Sequence, residues 1–355
     1  MTVAARQRDL DAVHDGLTRW VGAQHPRATD LRLGPLRKPS TGYSSETLLF
    51  GLTWTEDGVD KEDELVARLP PAGGGIFPVY DLNRQAEVQR ALATTAIPVA
   101  EPLAVELDES WIGAPFFVMR RVPGTVLPDT PSYVTGGALH DAAPDVQERV
   151  QRDFVHTLAD VHALDWDGLG LGVLTPSGER GLAHDLDRVE VYVQWSTDGD
   201  VPTVITEALA WARAHRPDPE PPLSLIWGDP RLGNVVYGDD WSQHGLLDWE
   251  MASIGPAELD LAWFVGLHEM SASGPDGDLP GFVGHDDTLA LWSARLGRPV
   301  IEYRCFEVLS LVRAESIFLR IRAMLLAAGL DEPWLRGVTP TQHRIAQLIA
   351  TSTST

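Results

Sequence analysis

Two carboxylates and a carboxamide stand close together in an apolar stretch of this chain. Asp229 and Asn234 are five residues apart in Trp227-Gly-Asp229-Pro-Arg231-Leu-Gly-Asn234, and Asp248 follows fourteen residues later in Leu247-Asp248-Trp249-Glu250. A carboxylate beside a hydroxyl can orient it and take its proton. A carboxamide oxygen and a second carboxylate are hard donors of the kind that hold a magnesium ion against phosphates. The chemistry open to such a set is phosphoryl transfer from a nucleoside triphosphate to an alcohol, where alignment and charge neutralisation supply most of the rate. Taken singly, Asp229-Pro230 and Gly233-Asn234 are also ordinary turn residues. The full set at this spacing favours chemistry, with Asp229 catalytic and Asn234 and Asp248 as metal ligands.

Phosphates need a cradle and a cation, and the segment upstream offers candidates for both. Leu10, Val13, Leu17, Trp20 and Val21 share one face of a helix predicted over residues 5–24. From 29 to 122 the pattern changes to strands broken by turns, with one helix over 81–95. Between the first two strands lies Ser40-Thr41-Gly42-Tyr43-Ser44-Ser45, whose N–H groups and hydroxyls can cradle phosphates, or form a plain polar turn. Arg68 on the third strand is the candidate phosphate-pairing cation, the other reading being a surface arginine. The only lysines, Lys38 and Lys61, fit that position poorly. An acidic partner for Arg68 is expected near 85–87, where Gln85 occupies the first-choice position and Glu87 is available. Phe116–Val122 closes the segment, with Met119, Arg120 and Val122 placed to pair with adenine through the backbone, although Phe and Met there equally suit a core. Beyond Gly124 the pattern is mostly helical, over 144–164, 201–214, 302–328 and 338–350. Residues 271–287 read as a mobile loop and 351–355 as a disordered tail.

Composition narrows the function classes. A net charge of −23 argues against nucleic acid and anionic membrane as partners and leaves room for steering a cationic acceptor. No apolar run reaches the roughly 20 residues that span a bilayer. The single cysteine, Cys305, suits a reducing cytoplasm and reads as a buried apolar residue rather than a thiol catalyst.

These motifs resemble the aminoglycoside phosphotransferase family, a kinase-like group, and within it the phosphotransferase domain fused to some acyl-CoA dehydrogenases. The resemblance covers about residues 30–325. It implies an α+β, protein-kinase-like two-lobed fold, with a small antiparallel-sheet N-lobe at 29–122 after an N-terminal helix at 1–28, and a helical C-lobe at 123–350. It also implies ATP and Mg2+ as cofactors and a small-molecule hydroxyl acceptor. Asp229, Asn234, Asp248 and Arg68 match the family's functional positions, and Arg231 matches an arginine expected to contact phosphate or acceptor. Asp260 is expected to brace the loop and His162 to be structural. Two departures stand out: Trp227 replaces a histidine, removing a hydrogen-bonding ring that supports the loop, and Gln85 replaces a glutamate. They motivate an alternative, a nucleotide-binding pseudokinase acting as a regulatory module.

Overall fold

The computed structural model describes residues 8–39, 45–274, 277–330, 332 and 335–351. The chain divides into two compact units, Met1–Pro123 and Gly124–Thr355.

The first unit is a five-stranded antiparallel sheet covered on both faces. Its elements are α1 (Leu10–Gln24), β1 (Thr29–Leu33), β2 (Glu46–Glu56), β3 (Val59–Leu69), α2 (Leu82–Leu92), β4 (Pro102–Glu106) and β5 (Phe116–Arg120), with the strands in the order β1-β2-β3-β5-β4. Alternation along the strands divides the core in two. Leu65, Ala67 and Leu69 of β3 and Phe116 and Val118 of β5 pack with Val13, Leu17 and Trp20 of α1. The intervening Val66, Phe117 and Met119 face Leu82 and Ala86 of α2. Asp9 caps α1 and Asp81 caps α2 through their side-chain oxygens.

The second unit contains β6 (Thr125–Val126), α3 (Pro144–His162), α4 (Leu182–Ser196), α5 (Thr203–Ala214), β7 (Leu223–Ile226), β8 (Val235–Tyr237), β9 (Gln243–Leu246) and β10 (Ser253–Pro256). The helices α6 (Glu258–Ala272), α7 (His285–Leu296), α8 (Tyr303–Ala327) and α9 (Pro340–Thr351) complete it. Its core joins α4, α5, α6, α8 and α9 around Leu186, Leu209, Phe306 and Leu309. Two small sheets, β6-β8-β9 and β7-β10, carry the polar loop residues. Among the described residues no helix is long and apolar enough to cross a membrane.

Two differences from the sequence reading have physical causes. Helices α4 and α7 are absent from the expected set; in α4, Val189, Val191 and Val193 alternate in sequence as in a strand, yet Val191 is 71% exposed while Val189 and Val193 are buried. The loop expected over 271–287 is shorter: α6 runs to Ala272 and α7 begins at His285.

Candidate active site

Strand β7 delivers the Asp229 loop, and its antiparallel partner β10 leads into α6, the helix that holds that loop. Ile226 pairs with Ser253 at the end of β7. Asp260, fully buried in the first turn of α6, then accepts from the N–H of Trp227 (2.6 Å) and of Gly228 (2.9 Å). His162 of α3 reaches the same carboxylate at 3.2 Å through Nε2, and its Nδ1 receives the Trp292 indole N–H at 3.0 Å. With Nδ1 accepting, Nε2 carries the ring proton and donates to Asp260. Asp260 therefore braces the loop and His162 is structural, each in its expected role. Gly228 has φ +96°, and a Cβ there would lie 2.5 Å from Met251, so only glycine fits this turn.

Trp227 does not remove a hydrogen-bonding ring, contrary to expectation. Its Nε1 donates to the Leu247 carbonyl at 2.7 Å, and the indole stacks on Trp249 with centroids 5.4 Å apart. The indole N–H thus ties the Asp229 loop to the segment bearing Asp248.

Asp229 is held by three side-chain donors. Trp263 Nε1 donates to Oδ1 at 2.8 Å, while Arg231 Nε (2.9 Å) and Asn234 Nδ2 (2.8 Å) donate to Oδ2. Arg231 extends further, to Asp129 Oδ1 at 2.7 Å and to the Asn234 carboxamide oxygen at 3.2 Å. Burial works against the Arg231 charge, yet Asp229 and Asp129 hold its pKa well above the ordinary arginine value. Asn234 ends a short 3-10 turn, and its carbonyl accepts from Leu247 N at 2.8 Å. Together with the Val235–Leu246 pair, this brings Asp248 to the same end of the β8–β9 hairpin as Asn234. Asp248 is half-buried and left-handed, with φ 58° and ψ 61°.

The loop adjoins a cavity of about 330 Å³ lined in part by Asp129, Tyr133, Arg231, Phe264 and His268. His268 is fixed at both nitrogens, with Tyr133 OH at 2.8 Å from Nδ1 and Asp278 at 3.1 Å from Nε2.

In the first unit, Arg68 lies on the α2 face of β3, two residues along from Val66, and is 9% exposed. The α2 face toward the sheet carries Leu82, Gln85, Ala86 and Gln89, all buried. Glu87 lies nearly opposite on the helix and accepts from Asn83 at 2.8 Å, so α2 turns Gln85 rather than Glu87 to the sheet. Met119 is buried beneath α2, where Gln89 Nε2 meets its sulfur at 3.6 Å. The Arg120 side chain pairs with Asp63 and Glu101, and its N–H donates to Glu101 O at 2.9 Å. Those bonds occupy the Arg120 side chain and backbone N–H, and Val122 follows and is half-buried. Ser45 immediately precedes β2, while Ser40, Thr41, Gly42 and Ser44 lie outside the described residues.

Sequence reasoning missed Trp263, Asp129, Tyr133 and His268. Trp263 alone had a signal, standing three residues after Asp260 on one helix face. Cys305 is buried, with its thiol pushed up to about 12 by burial, which removes it as a nucleophile.

Comparison with known proteins bears on this geometry. A stretch of 203 residues, 56% of this chain, is 28% identical to human acyl-CoA dehydrogenase family member 11 but spans only 24% of that relative's length. Among solved structures, a provisionally assigned aminoglycoside phosphotransferase from Ralstonia eutropha superposes with a TM-score of 0.68 at 21% identity, covering 94% of this chain and 95% of that one. A thermostable mutant of the aminoglycoside phosphotransferase APH(4)-Ia, solved with ADP and hygromycin B, gives 0.55 at 15% identity, covering 96% of this chain and 100% of that one. These likenesses place the chain in the kinase-like α+β fold. Residues 36–288 match the family described as "Phosphotransferase enzyme family", so the chain belongs to that family.

Proposed function

We propose that this enzyme transfers the γ-phosphate of ATP to a hydroxyl of a small molecule in a magnesium-dependent reaction. The observation that carries the reading is Asp229, a carboxylate fixed by Trp263, Arg231 and Asn234 beside a cavity of about 330 Å³. Its Oδ2 takes two donors and its Oδ1 takes one, so Oδ1 keeps lone-pair capacity for an acceptor hydroxyl. In the reaction the acceptor oxygen bonds to the γ-phosphorus, the bond from that phosphorus to the β,γ-bridging oxygen breaks, ADP leaves, and the hydroxyl proton passes to Asp229. The APH(4)-Ia complex with ADP and hygromycin B supports an adenine nucleotide and a hydroxylated acceptor.

The donor set fits magnesium. Asn234, whose carboxamide oxygen keeps one lone pair beyond the 3.2 Å bond from Arg231, and Asp248 would offer one carboxamide and one carboxylate oxygen, and among the described residues no group of three or more His, Cys, Asp or Glu gathers as a metal cluster. An ion that keeps its waters and binds chiefly through substrate phosphates needs no more than this. When bound, it would neutralise phosphate charge as the bridging oxygen leaves. Arg68 is the proposed partner of the nucleotide phosphates, and the Ser40–Ser45 segment and Val122 the proposed contacts to phosphate and base.

The test is phosphate transfer from labelled ATP with magnesium to an aminoglycoside panel and, separately, to an extract of hydroxylated metabolites. Asp229→Asn should lower the rate about a thousand-fold while leaving nucleotide binding intact. Binding of MgATP without transfer to either pool would sink the enzyme reading in favour of a regulatory pseudokinase.

A further inference from the structure

The cavity beside Arg231 offers a polyamine no unpaired carboxylate among its described lining residues. Its walls include Pro128, Leu232, Phe264, Leu267 and Met270, and Ser132 and Ser271 add hydroxyls. Among the described lining residues Asp129 is the only carboxylate, and it is ion-paired to Arg231 at 2.7 Å. Nearby carboxylates are engaged as well: Asp229 by Arg231 at 2.9 Å, and Asp278 by His268 at 3.1 Å. Burial together with the Asp278 charge raises the Tyr133 pKa, so its phenol stays neutral.

An ammonium group moved from water into such a space loses its hydration and needs a carboxylate in exchange. Among the described lining residues no carboxylate is free of a cationic partner, so the ammonium would have to compete with Arg231 for Asp129. An apolar carbon skeleton bearing a hydroxyl meets the opposite conditions. Its body would cover Phe264, Leu267 and Met270, its hydroxyl would point toward the Asp229 loop, whose Pro230 and Arg231 line the cavity, and a single carboxylate or ester oxygen would meet Ser132 or Ser271.

We propose that the acceptor is a hydroxylated molecule with an apolar body, uncharged or singly anionic, and not a polyamino sugar. This rests on the kinase reading above and names the acceptor class for its site. It also separates the acidic surface of the chain as a whole from the site, since the net charge of −23 is not concentrated in this lining.

The experiment is calorimetric titration of the full chain with hydroxyoctanoate, n-octanol and kanamycin, with and without a non-transferable ATP analogue and magnesium. Wild-type protein should bind hydroxyoctanoate or octanol at least ten-fold more tightly than kanamycin. Ser271→Asp adds a carboxylate to the wall outside the proposed catalytic machinery, and should strengthen kanamycin binding and weaken hydroxyoctanoate binding, each about ten-fold. Met270→Glu, at a position 36% exposed, should act in the same direction and serves if Ser271→Asp fails to fold. Kanamycin binding as tightly as the other probes, none of the three binding, or an unchanged preference in both variants would overturn the proposal. Binding is read without turnover, so this outcome is independent of whether phosphate is transferred.

Discussion

The two polar regions of this protein are built on different principles. In the second unit, the Trp227–Asn234 loop is fixed by hydrogen bonds from side chains distant in sequence, namely Asp260, Trp263 and Asp129. In the first unit, Arg68 takes its place from strand alternation, which puts it beside Val66 and under α2. Donor–acceptor geometry specifies residue types; apolar packing specifies only a face. The loop should therefore tolerate almost no substitution, whereas the neighbours of Arg68 should be more exchangeable.

The largest expected effect comes from breaking the more specified region. Asp260→Ala would leave the N–H groups of Trp227 and Gly228 and the His162 Nε2–H without their buried acceptor. Each such donor costs about 1–3 kcal/mol, so a loss of at least about 3 kcal/mol is expected in chemical denaturation. Turnover should fall with it, because the Asp229 turn loses its support. A variant within about 1 kcal/mol of wild type would show that the loop holds itself.

A smaller effect, of a different kind, is expected in the first unit. Arg68→Met keeps an apolar stem on the α2 face and removes the charge, and should raise the KM for ATP about 10- to 100-fold. Glu87→Ala should leave that KM within about two-fold, because Glu87 points away from the sheet and bonds Asn83. If Glu87→Ala matched Arg68→Met in KM, α2 would have to turn on nucleotide binding. The pair of variants thus separates a helix with fixed phase from one that rotates.

The same contrast explains what could be read in the chain beforehand. Asp229, Asn234, Asp248 and Asp260 stand within 32 residues of one another, so spacing along the chain carried the pattern. The phase of α2 was also readable: Leu82, Ala86 and Gln89 define its buried face, and Gln85, not Glu87, falls on it. Asp129, Tyr133 and His268 were not readable, because the loop before α3 meets Arg231 and α6 only through tertiary packing. Their types carry no spacing signal; Tyr133 and His268 are 135 residues apart. The strand order β1-β2-β3-β5-β4 lies between these cases, since the succession of strands was legible and the pairing of β3 with β5 was not.

Asp185 is the exception that sharpens the comparison. It stands in the first turn of α4 against β10, the strand that leads to Asp260, and a Cβ on Gly255 would lie 2.5 Å from its Oδ2. Oδ2 has no hydrogen-bond partner among the described residues, and the other oxygen lies 3.5 Å from Arg188. Burial pushes its pKa up from 3.8 to about 6, against the pull of Arg188 and Arg313. Between those two pH values the folded state keeps a proton that the unfolded chain has released. Stability therefore declines as pH rises through this window, and the penalty is fully present above it. A shift of this size corresponds to roughly 3 kcal/mol, reduced in practice by the Arg188 contact that neutralisation gives up. Asp185→Asn removes the titration while keeping the shape. Its unfolding midpoint should exceed that of wild type at neutral pH by the equivalent of about 1–2 kcal/mol, and the two should converge toward pH 4. A variant less stable than wild type at neutral pH would mean that the Arg188 pair outweighs burial. The second unit would then have no polar group at odds with its surroundings at this position.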